Sequence, residues 1–177
     1  TRITSPHSWT TPKADIARFY DEHLAGGRSV GLRGADLIQF LMVDIDCHNG
    51  EPIQDQLQIL MNTFGNSALP FRSSDSNGIH FYIFLDRMTP RTQAREALRN
   101  KLLSIGYPGA DSVEIFPWSI RGHRLPFGNG NRPMPGGKDT LAETTRADQG
   151  KTFSRWLNSE MQPLNVSELL TFTNTPD

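Results

Sequence analysis

The run from Phe40 to Gly50 constrains the fold of this chain more than any other segment. Apolar residues lead directly into Asp44-Ile45-Asp46, and an Asn-Gly pair follows. A short apolar run that stops at such a pair predicts a buried strand ended by a turn. Side chains alternate along a strand, so Asp44 and Asp46 are predicted to point to the same side.

Two carboxylates at the end of a buried strand carry an electrostatic cost. Held close together, Asp44 and Asp46 repel each other and lose hydration. A hard divalent cation relieves both costs, and carboxylates with water and phosphate oxygens are the usual ligands of Mg²⁺. The alternative is an acidic strand end in water, or Asp46 capping the turn. The pair alone leaves both interpretations open.

Size and composition narrow the class of protein. The 177 residues suit one large domain or a core with a small appendage. No stretch approaches the roughly 18 apolar residues that span a membrane, so we expect a cytoplasmic protein without a membrane partner. One cysteine excludes an internal disulfide framework and a cysteine-rich zinc site.

Charge is distributed unevenly along the chain. The net charge of −1 does not by itself indicate a nucleic-acid binder. However, residues 34–71 contain no Lys or Arg, whereas residues 121–155 carry seven bases against three acids. An acidic metal-binding end that faces a basic groove suits a nucleotide or a phosphodiester backbone. Ordinary solvated surface is the alternative.

Apolar periodicity and turn residues predict alternating helices and strands. The predicted helices run from residue 10 or 11 to 24, and over 52–64, 89–105, 149–160 and 166–170. The predicted strands cover 29–32, 38–46, 69–72, 79–85, 113–116 and 122–127. Residues 128–137, rich in Gly, Pro and Asn, are predicted to form a mobile loop. The alternation favours an α+β or α/β sheet with helices packed on it.

The polar segment from Ser73 to His80 joins two predicted strands. Three serines, an Asn and a Gly offer hydroxyl and backbone N–H groups, and such a concavity binds phosphate. His80 opens the next strand, where its imidazole is placed to reach a phosphate oxygen. The alternative is a plain hairpin turn with a half-buried histidine that bonds its neighbours.

Glu114 is the acid of the predicted strand 113–116. It either faces solvent or completes a metal site with Asp44 and Asp46. Arg124 follows a Gly-His pair and precedes Leu-Pro-Phe, so it is predicted to be held by the structure. Its guanidinium can donate two parallel hydrogen bonds to a phosphate group.

Together, and in this order, these motifs resemble the archaeo-eukaryotic primase superfamily, also called primase-polymerases. The motifs are Asp44-Ile45-Asp46, the Ser-rich turn 74–80 and Val113-Glu114, and the segments 23–32 and 124–128 are similar to the prokaryotic and mobile-element branch. The resemblance covers roughly residues 20–130, with Glu114 where many relatives have Asp. It implies an α+β fold: an RRM-like catalytic core, a mixed or antiparallel sheet with flanking helices, and an N-terminal α/β segment.

The resemblance also implies template-directed nucleotidyl transfer, as in a DNA primase or DNA polymerase. Two Mg²⁺ or Mn²⁺ ions would be held by the catalytic acids Asp44, Asp46 and Glu114. The residues implied for the nucleoside triphosphate are Ser74, Ser76, His80, Arg124, Arg72 and Lys138. Those assigned to nucleic acid are Arg121, His123 and Arg132, with the nucleotide as the alternative partner of Arg121 and His123.

We expect one catalytic domain over residues 1–177, with a core at about 10–130 and a basic loop and C-terminal helices at 131–177. A domain of this length is short for a complete primase, so we expect it to belong to a larger replication protein. The expected partners are a single-stranded DNA template and primer, a dNTP or NTP, and a helicase domain or partner.

Other functions fit parts of the pattern. An RRM-like module that binds single strands without chemistry would use Phe81, Tyr82 or Phe84 as stacking platforms. Carboxylates at a nucleic-acid surface are unfavourable, which argues against it. A metal-dependent nuclease or relaxase also uses acids and histidines, but a relaxase requires two histidines one residue apart, a spacing the five histidines never show. A catalytically silent regulatory domain is disfavoured by the intact acids.

Overall fold

The computed structural model describes residues 13–25, 27, 30–32, 34–46, 52–73, 78–119, 122–128, 131–139 and 145–173. Its α-helices are α1 (Lys13–Leu24), α2 (Ile53–Phe64), α3 (Arg91–Ser104), α4 (Arg146–Ser159) and α5 (Val166–Leu170). Its β-strands are β1 (Gly31–Leu32), β2 (Leu37–Ile45), β3 (Ala68–Arg72), β4 (Ile79–Pro90), β5 (Glu114–Phe116), β6 (His123–Arg124) and β7 (Arg132–Pro133). Short 3-10 helices cover Gly65–Ser67 and Pro135–Gly137. Within these ranges no helix combines the length and the apolar character needed to cross a bilayer.

Five strands form one sheet in the order β5-β2-β4-β3-β7. Every neighbouring pair in it is antiparallel. The other two strands, β1 and β6, form a separate antiparallel ribbon. The predicted class is therefore confirmed at the level of an α+β fold, an antiparallel sheet with flanking helices.

One face of the sheet, called here the helix face, is covered by helices. Leu41 and Val43 of β2 and Phe81 and Ile83 of β4 point to it and are fully buried. Helices α2, α3 and α5 pack on these residues through apolar side chains at helical spacing, namely Leu57, Leu60, Phe64, Ala94, Leu98, Leu102, Val166 and Leu169. The helix face therefore holds the larger of the two cores.

The opposite face, called here the aromatic face, is also covered. Met42, Phe71, Tyr82 and Phe116 lie on it, beneath Phe127 and Trp156. Their rings pack against one another; the Phe71 and Phe127 ring centroids, for example, lie 5.4 Å apart. Because the strands carry apolar side chains on both faces, the sheet lies between two hydrophobic cores.

This burial bears on the aromatic residues that a single-strand-binding module would use. Phe81 lies on the helix face and is 0% exposed, and Tyr82 is 4% exposed. Phe84 packs on Trp156 with ring centroids 5.6 Å apart. A base can stack only on an exposed ring face. The covered rings therefore weigh against that alternative.

Several predicted elements differ from the structure in their bounds, and two of these differences change the sheet. Strand β4 continues to Pro90 instead of ending at Leu85, because Thr89 and Pro90 still pair with the start of β2. The predicted loop 128–137 contains β7, whose Arg132 and Pro133 pair with β3 at the edge of the sheet. Proline is tolerated in an edge strand because its missing N–H faces away from the ladder.

Some of the described residues beyond 130 belong to the same cores. Met134, Val166 and Leu169 are buried on the helix face, and Trp156 is buried on the aromatic face. Helix α4 begins at an N-cap in which the Thr145 side chain accepts a hydrogen bond from the Asp148 amide. Met134 and the helices α4 and α5 are therefore packed against the sheet.

Candidate functional site

Three strands bring Asp44, His80 and Glu114 into one row across the sheet. Asp44 of β2 lies directly opposite Glu114 of β5 on one side and His80 of β4 on the other. Directly opposed residues point to the same face, with Cβ atoms about 4.5–5.5 Å apart. Three motifs that are far apart in the chain thus meet at one end of the sheet.

The row lies on the aromatic face. Two residues further along each strand come Met42, Tyr82 and Phe116, which belong to the core of that face. Residues two apart share a face, so the row continues this apolar surface. The side chain of Asp44 is 20% exposed and that of His80 is 11% exposed. The row therefore marks the edge at which the apolar core gives way to polar groups.

Asp46 follows the end of β2 and reaches the same face. Because Ile45 pairs with Ile79, the next position of the ladder places Asp46 across from Gly78. A Cβ atom built on Gly78 would lie 2.6 Å from Asp46 Oδ1 and 2.7 Å from Ser73 Oγ. The Asp46 carboxylate and the Ser73 hydroxyl therefore occupy space that a side chain at residue 78 would need, and both would have to move to admit one.

The acids fit a cation by their chemistry. Asp44 and Glu114 are like charges directly opposite each other, which destabilises a sheet, and a hard divalent cation relieves that repulsion. In the part of the chain that the structure describes, no group of three or more His, Cys, Asp or Glu residues is arranged to hold a metal ion. Metal binding by the three acids therefore stays a prediction. Asp44 and Glu114 are the two of them that lie directly opposite each other.

His80 is neutral in the free protein at neutral pH. Burial, and then the electrostatic effects of His123 and Arg124, lower its pKa from 6.5 to about 4. Its Nε2 lies 3.7 Å from Asp44 Oδ1, beyond hydrogen-bonding distance. Its Nδ1 is buried without a hydrogen-bond partner in the described structure. A neutral ring can donate from one nitrogen and accept at the other, so His80 retains hydrogen-bonding capacity for a ligand.

The β1–β6 ribbon covers part of the aromatic face through His123. This residue is 4% exposed, and its ring centroid lies 5.4 Å from that of Phe40 and 6.0 Å from that of Phe116. The resemblance implies that His123 contacts nucleic acid or the nucleotide. In the structure its ring is packed into the core of the aromatic face. A contact with nucleic acid stays a prediction for this residue.

Arg124 lies next to Tyr82 and Ser73. Its main-chain carbonyl accepts a hydrogen bond of 3.2 Å from the Tyr82 hydroxyl, and its Nη1 donates to the Ser73 carbonyl at 3.4 Å. The side chain is half-buried, and its charge contributes to the lowered pKa of His80. The structure thus places the Arg124 guanidinium near His80 and Ser73.

His23 fixes the loop that follows Arg124, and the sequence does not reveal this role. Its Nδ1 accepts a hydrogen bond from the Val30 amide at 3.1 Å. Its Nε2 therefore carries the proton, and it lies 3.1 Å from the Leu125 carbonyl and 2.9 Å from the Pro126 carbonyl. The ring is 0% exposed. It joins the end of α1 to the loop over a separation of about a hundred residues.

Arg72 and Arg132 lie on the other side of the sheet. Arg72 pairs with Ile79, a residue of the helix face, and with Arg132. The Nε of Arg72 donates to Asp139 at 2.6 Å, and Arg132 donates to both carboxylate oxygens of Asp139 at 2.8 and 2.7 Å. Lys138 is exposed next to them. Strand alternation directs Arg72 and Arg132 away from His80. The binding of nucleotide or nucleic acid by these arginines and by Lys138 stays a prediction.

Asp139→Asn is expected to destabilise the fold by about 2 kcal/mol at pH 7, because two guanidiniums lose their charged acceptor. The hydrogen bond from Arg132, and then that from Arg72, lower the pKa of Asp139. A lowered carboxyl pKa stabilises the fold above the unfolded-state pKa and ceases to do so as pH falls through the folded-state pKa.

Urea unfolding from pH 7 to pH 2 tests the Asp139 prediction. The difference between wild type and Asp139→Asn should shrink below about pH 4. The control is Asp111→Asn, at an exposed position, which should match wild type throughout. A difference that is constant over this pH range would contradict the prediction.

Three predicted site residues, Ser74, Ser76 and Arg121, lie outside the described residues. The two ends of the segment that contains the serines are joined, because the Ser73 amide donates to the Gly78 carbonyl at 2.9 Å. The roles of these three residues stay predictions.

A scan of the chain against protein-family models found no match, and a search of curated proteins found none either.

Proposed function

We propose that this chain is a template-directed nucleotidyltransferase of the primase-polymerase type. The observation that carries the proposal is the row in which Asp44 lies between Glu114 and His80. Two opposed carboxylates suit a divalent cation, and a buried neutral imidazole beside them suits a phosphate oxygen. A nucleoside triphosphate with its metal combines both groups in one ligand.

The acids of the row are the proposed ligands for two Mg²⁺ or Mn²⁺ ions. Asp44 and Glu114 would hold them together with Asp46, which lies on the same face. When bound, such ions activate a hydroxyl as the nucleophile and stabilise charge on the phosphates. The partly buried position of Asp44 strengthens these electrostatic contacts, because water screens them less there.

His80 and Arg124 are the proposed contacts of the triphosphate. His80 donates one N–H to a phosphate oxygen, and Arg124 adds a charged, forked donor. The Tyr82 hydroxyl holds the main chain of Arg124 in place. Ser74 and Ser76 would add hydroxyls from the turn. The chain thereby orients the triphosphate beside the acids.

The proposed substrates are a primed single-stranded DNA template and dNTPs or NTPs. Arg121, His123 and Arg132 remain the proposed contacts of nucleic acid, and Arg72 and Lys138 remain proposed contacts of the nucleotide. A helicase domain or partner would supply unwound template.

Incorporation of labelled nucleotide tests this function. We expect the purified protein to extend a primer on single-stranded DNA with Mn²⁺ or Mg²⁺, and to stop when EDTA is added. DNA supplied without nucleotides should remain uncut. No incorporation with either metal and either class of nucleotide would contradict the proposal. Cleavage of the DNA without nucleotides would favour a nuclease instead.

A further inference from the structure

Three arginines follow one another at four-residue spacing along α3, on the side that meets the edge of the sheet. Arg91 donates to the carbonyls of Gly34 and Ala35 at 2.7 and 2.8 Å. Arg95 and Arg99 donate to carbonyls of the segment around β5. The arginines therefore act mainly on the main chain of neighbouring segments.

This arrangement is costly for the helix. Like charges four residues apart repel each other, and burial followed by the charges of Arg99 and Arg91 lowers the pKa of Arg95. Burying guanidiniums side by side is favourable only where their hydrogen bonds compensate. The hydrogen bonds of these arginines to main-chain carbonyls therefore offset the repulsion and burial of their charges.

The contacts of Arg95 and Arg99 bracket Glu114. Arg99 Nη2 donates to the Val113 carbonyl at 2.9 Å, and Arg95 Nε donates to the Ile115 carbonyl at 2.9 Å. β5 is a strand of three residues at the edge of the sheet, and no further strand among the described residues pairs with its outer carbonyls. The two guanidiniums take the place of that strand, one on each side of Glu114.

Further contacts fix the segment at both ends. Arg99 Nη1 also donates to the carbonyls of Ala110 and Asp111, which lie before β5. The Arg95 guanidinium lies 3.7 Å from the ring centroid of Trp118, which comes shortly after β5. Only three residues of β5 pair with β2, so these contacts add to the few ladder bonds that position Glu114.

We propose that Arg95 and Arg99 are positioning residues that hold Glu114 opposite Asp44 and thereby set the affinity of the site for its divalent cation. The inference rests on the proposed function, because it assumes that Glu114 binds metal. Groups that orient a metal ligand without touching the metal typically change metal affinity about 10- to 100-fold when they are lost.

Mn²⁺ binding to the whole chain, measured by the electron paramagnetic resonance signal of free Mn²⁺, tests the inference without relying on activity. We expect Arg99→Gln to weaken Mn²⁺ binding about tenfold. Arg91→Gln is the matched control, since it removes the same group from the same helix but releases Gly34 and Ala35 instead of β5. It should bind Mn²⁺ as wild type does.

Thermal unfolding separates positioning from a general loss of stability. Both glutamine variants lose carbonyl contacts and should melt below wild type, yet only Arg99→Gln should lose metal affinity. Arg99→Lys keeps the charge and cannot span the same carbonyls, so it provides a folded variant with an intermediate Mn²⁺ affinity. Arg95→Lys should behave in the same way, because it loses the planar contact with Trp118.

Two outcomes would overturn the inference. One is wild-type Mn²⁺ affinity in Arg99→Gln or, if that variant does not fold, in Arg99→Lys. The other is an equal loss of affinity in Arg91→Gln. A wild-type protein that binds no Mn²⁺ contradicts the proposed function itself, so the two failures are distinguishable.

Discussion

Asp44→Asn is expected to lower the rate of nucleotide incorporation about a thousandfold or more, because the substitution removes the charge at the centre of the Asp44–Glu114–His80 row. Loss of a metal-binding carboxylate forfeits several kcal/mol of transition-state stabilisation, and each 1.36 kcal/mol is tenfold in rate. Single-turnover primer extension at saturating Mn²⁺ measures the effect.

The same substitution should leave the fold intact. Asparagine has the shape of aspartate, and it removes the repulsion from Glu114 across the strands, worth roughly 0.2–1 kcal/mol. In EDTA the variant should therefore melt no lower than wild type. Asp36→Asn is the matched control, since Asp36 precedes β2 at its other end with a fully exposed side chain, and it should retain full activity. Extension by Asp44→Asn at the wild-type rate would contradict the assignment.

Gly128→Ala is expected to be among the most destabilising single substitutions in this chain. A Cβ atom there would lie 2.0 Å from Cε1 of the His23 ring, which is completely buried. The ring cannot move away without breaking its hydrogen bonds to Val30 and to the Leu125 and Pro126 carbonyls. Overpacking of this kind costs about 3 kcal/mol, or roughly 6–12 °C in melting temperature for a chain of this length.

Its controls separate overpacking from the ordinary effect of replacing glycine. Gly150 lies inside α4 with no atom near the position of an added Cβ, so Gly150→Ala should stabilise the protein by up to about 1 kcal/mol. In a His23→Ala background the ring is gone, so the penalty of Gly128→Ala should largely disappear. Equal penalties in both backgrounds would contradict the packing explanation. Differential scanning calorimetry provides all the values.

The loop that His23 holds contains a strained residue. Phe127 has φ = 67°, a left-handed conformation that costs a side chain of this size about 1–2 kcal/mol. Its amide donates to the Asn131 side chain at 3.0 Å, which helps to fix this conformation. Arg124 is the last residue of β6, directly before this loop. A change at Gly128 should therefore also disturb nucleotide binding.

The spacing of apolar residues in the sequence was sufficient to predict the helices and strands that bury one continuous apolar face. The apolar spacing over 52–64 predicts α2 within one residue, and the run before Asp44 predicts the central strand β2 within one residue at each end. Glu114 and His80 could be assigned to strands for the same reason. That these residues lie directly opposite Asp44 is a matter of register, which pairing across the sheet decides.

The rest could not be predicted because it depends on contacts between distant segments. β7 has only two residues, one of them proline, and exists because β3 offers it an edge. A histidine at the end of a helix carries no sign that its partners lie near residue 125. The resemblance implies that Arg72 contacts the same triphosphate as His80, yet alternation along β3 and β4 directs its side chain to the opposite face, where it donates a hydrogen bond to Asp139.

A crystal of the protein soaked with Mn²⁺ and a non-hydrolysable nucleoside triphosphate tests the central claim most directly. We predict an anomalous Mn²⁺ peak in contact with the carboxylates of Asp44 and Glu114, and a phosphate oxygen within hydrogen-bonding distance of His80. Mn²⁺ bound elsewhere while these two carboxylates carry no metal, or a triphosphate seated away from His80, would contradict the account.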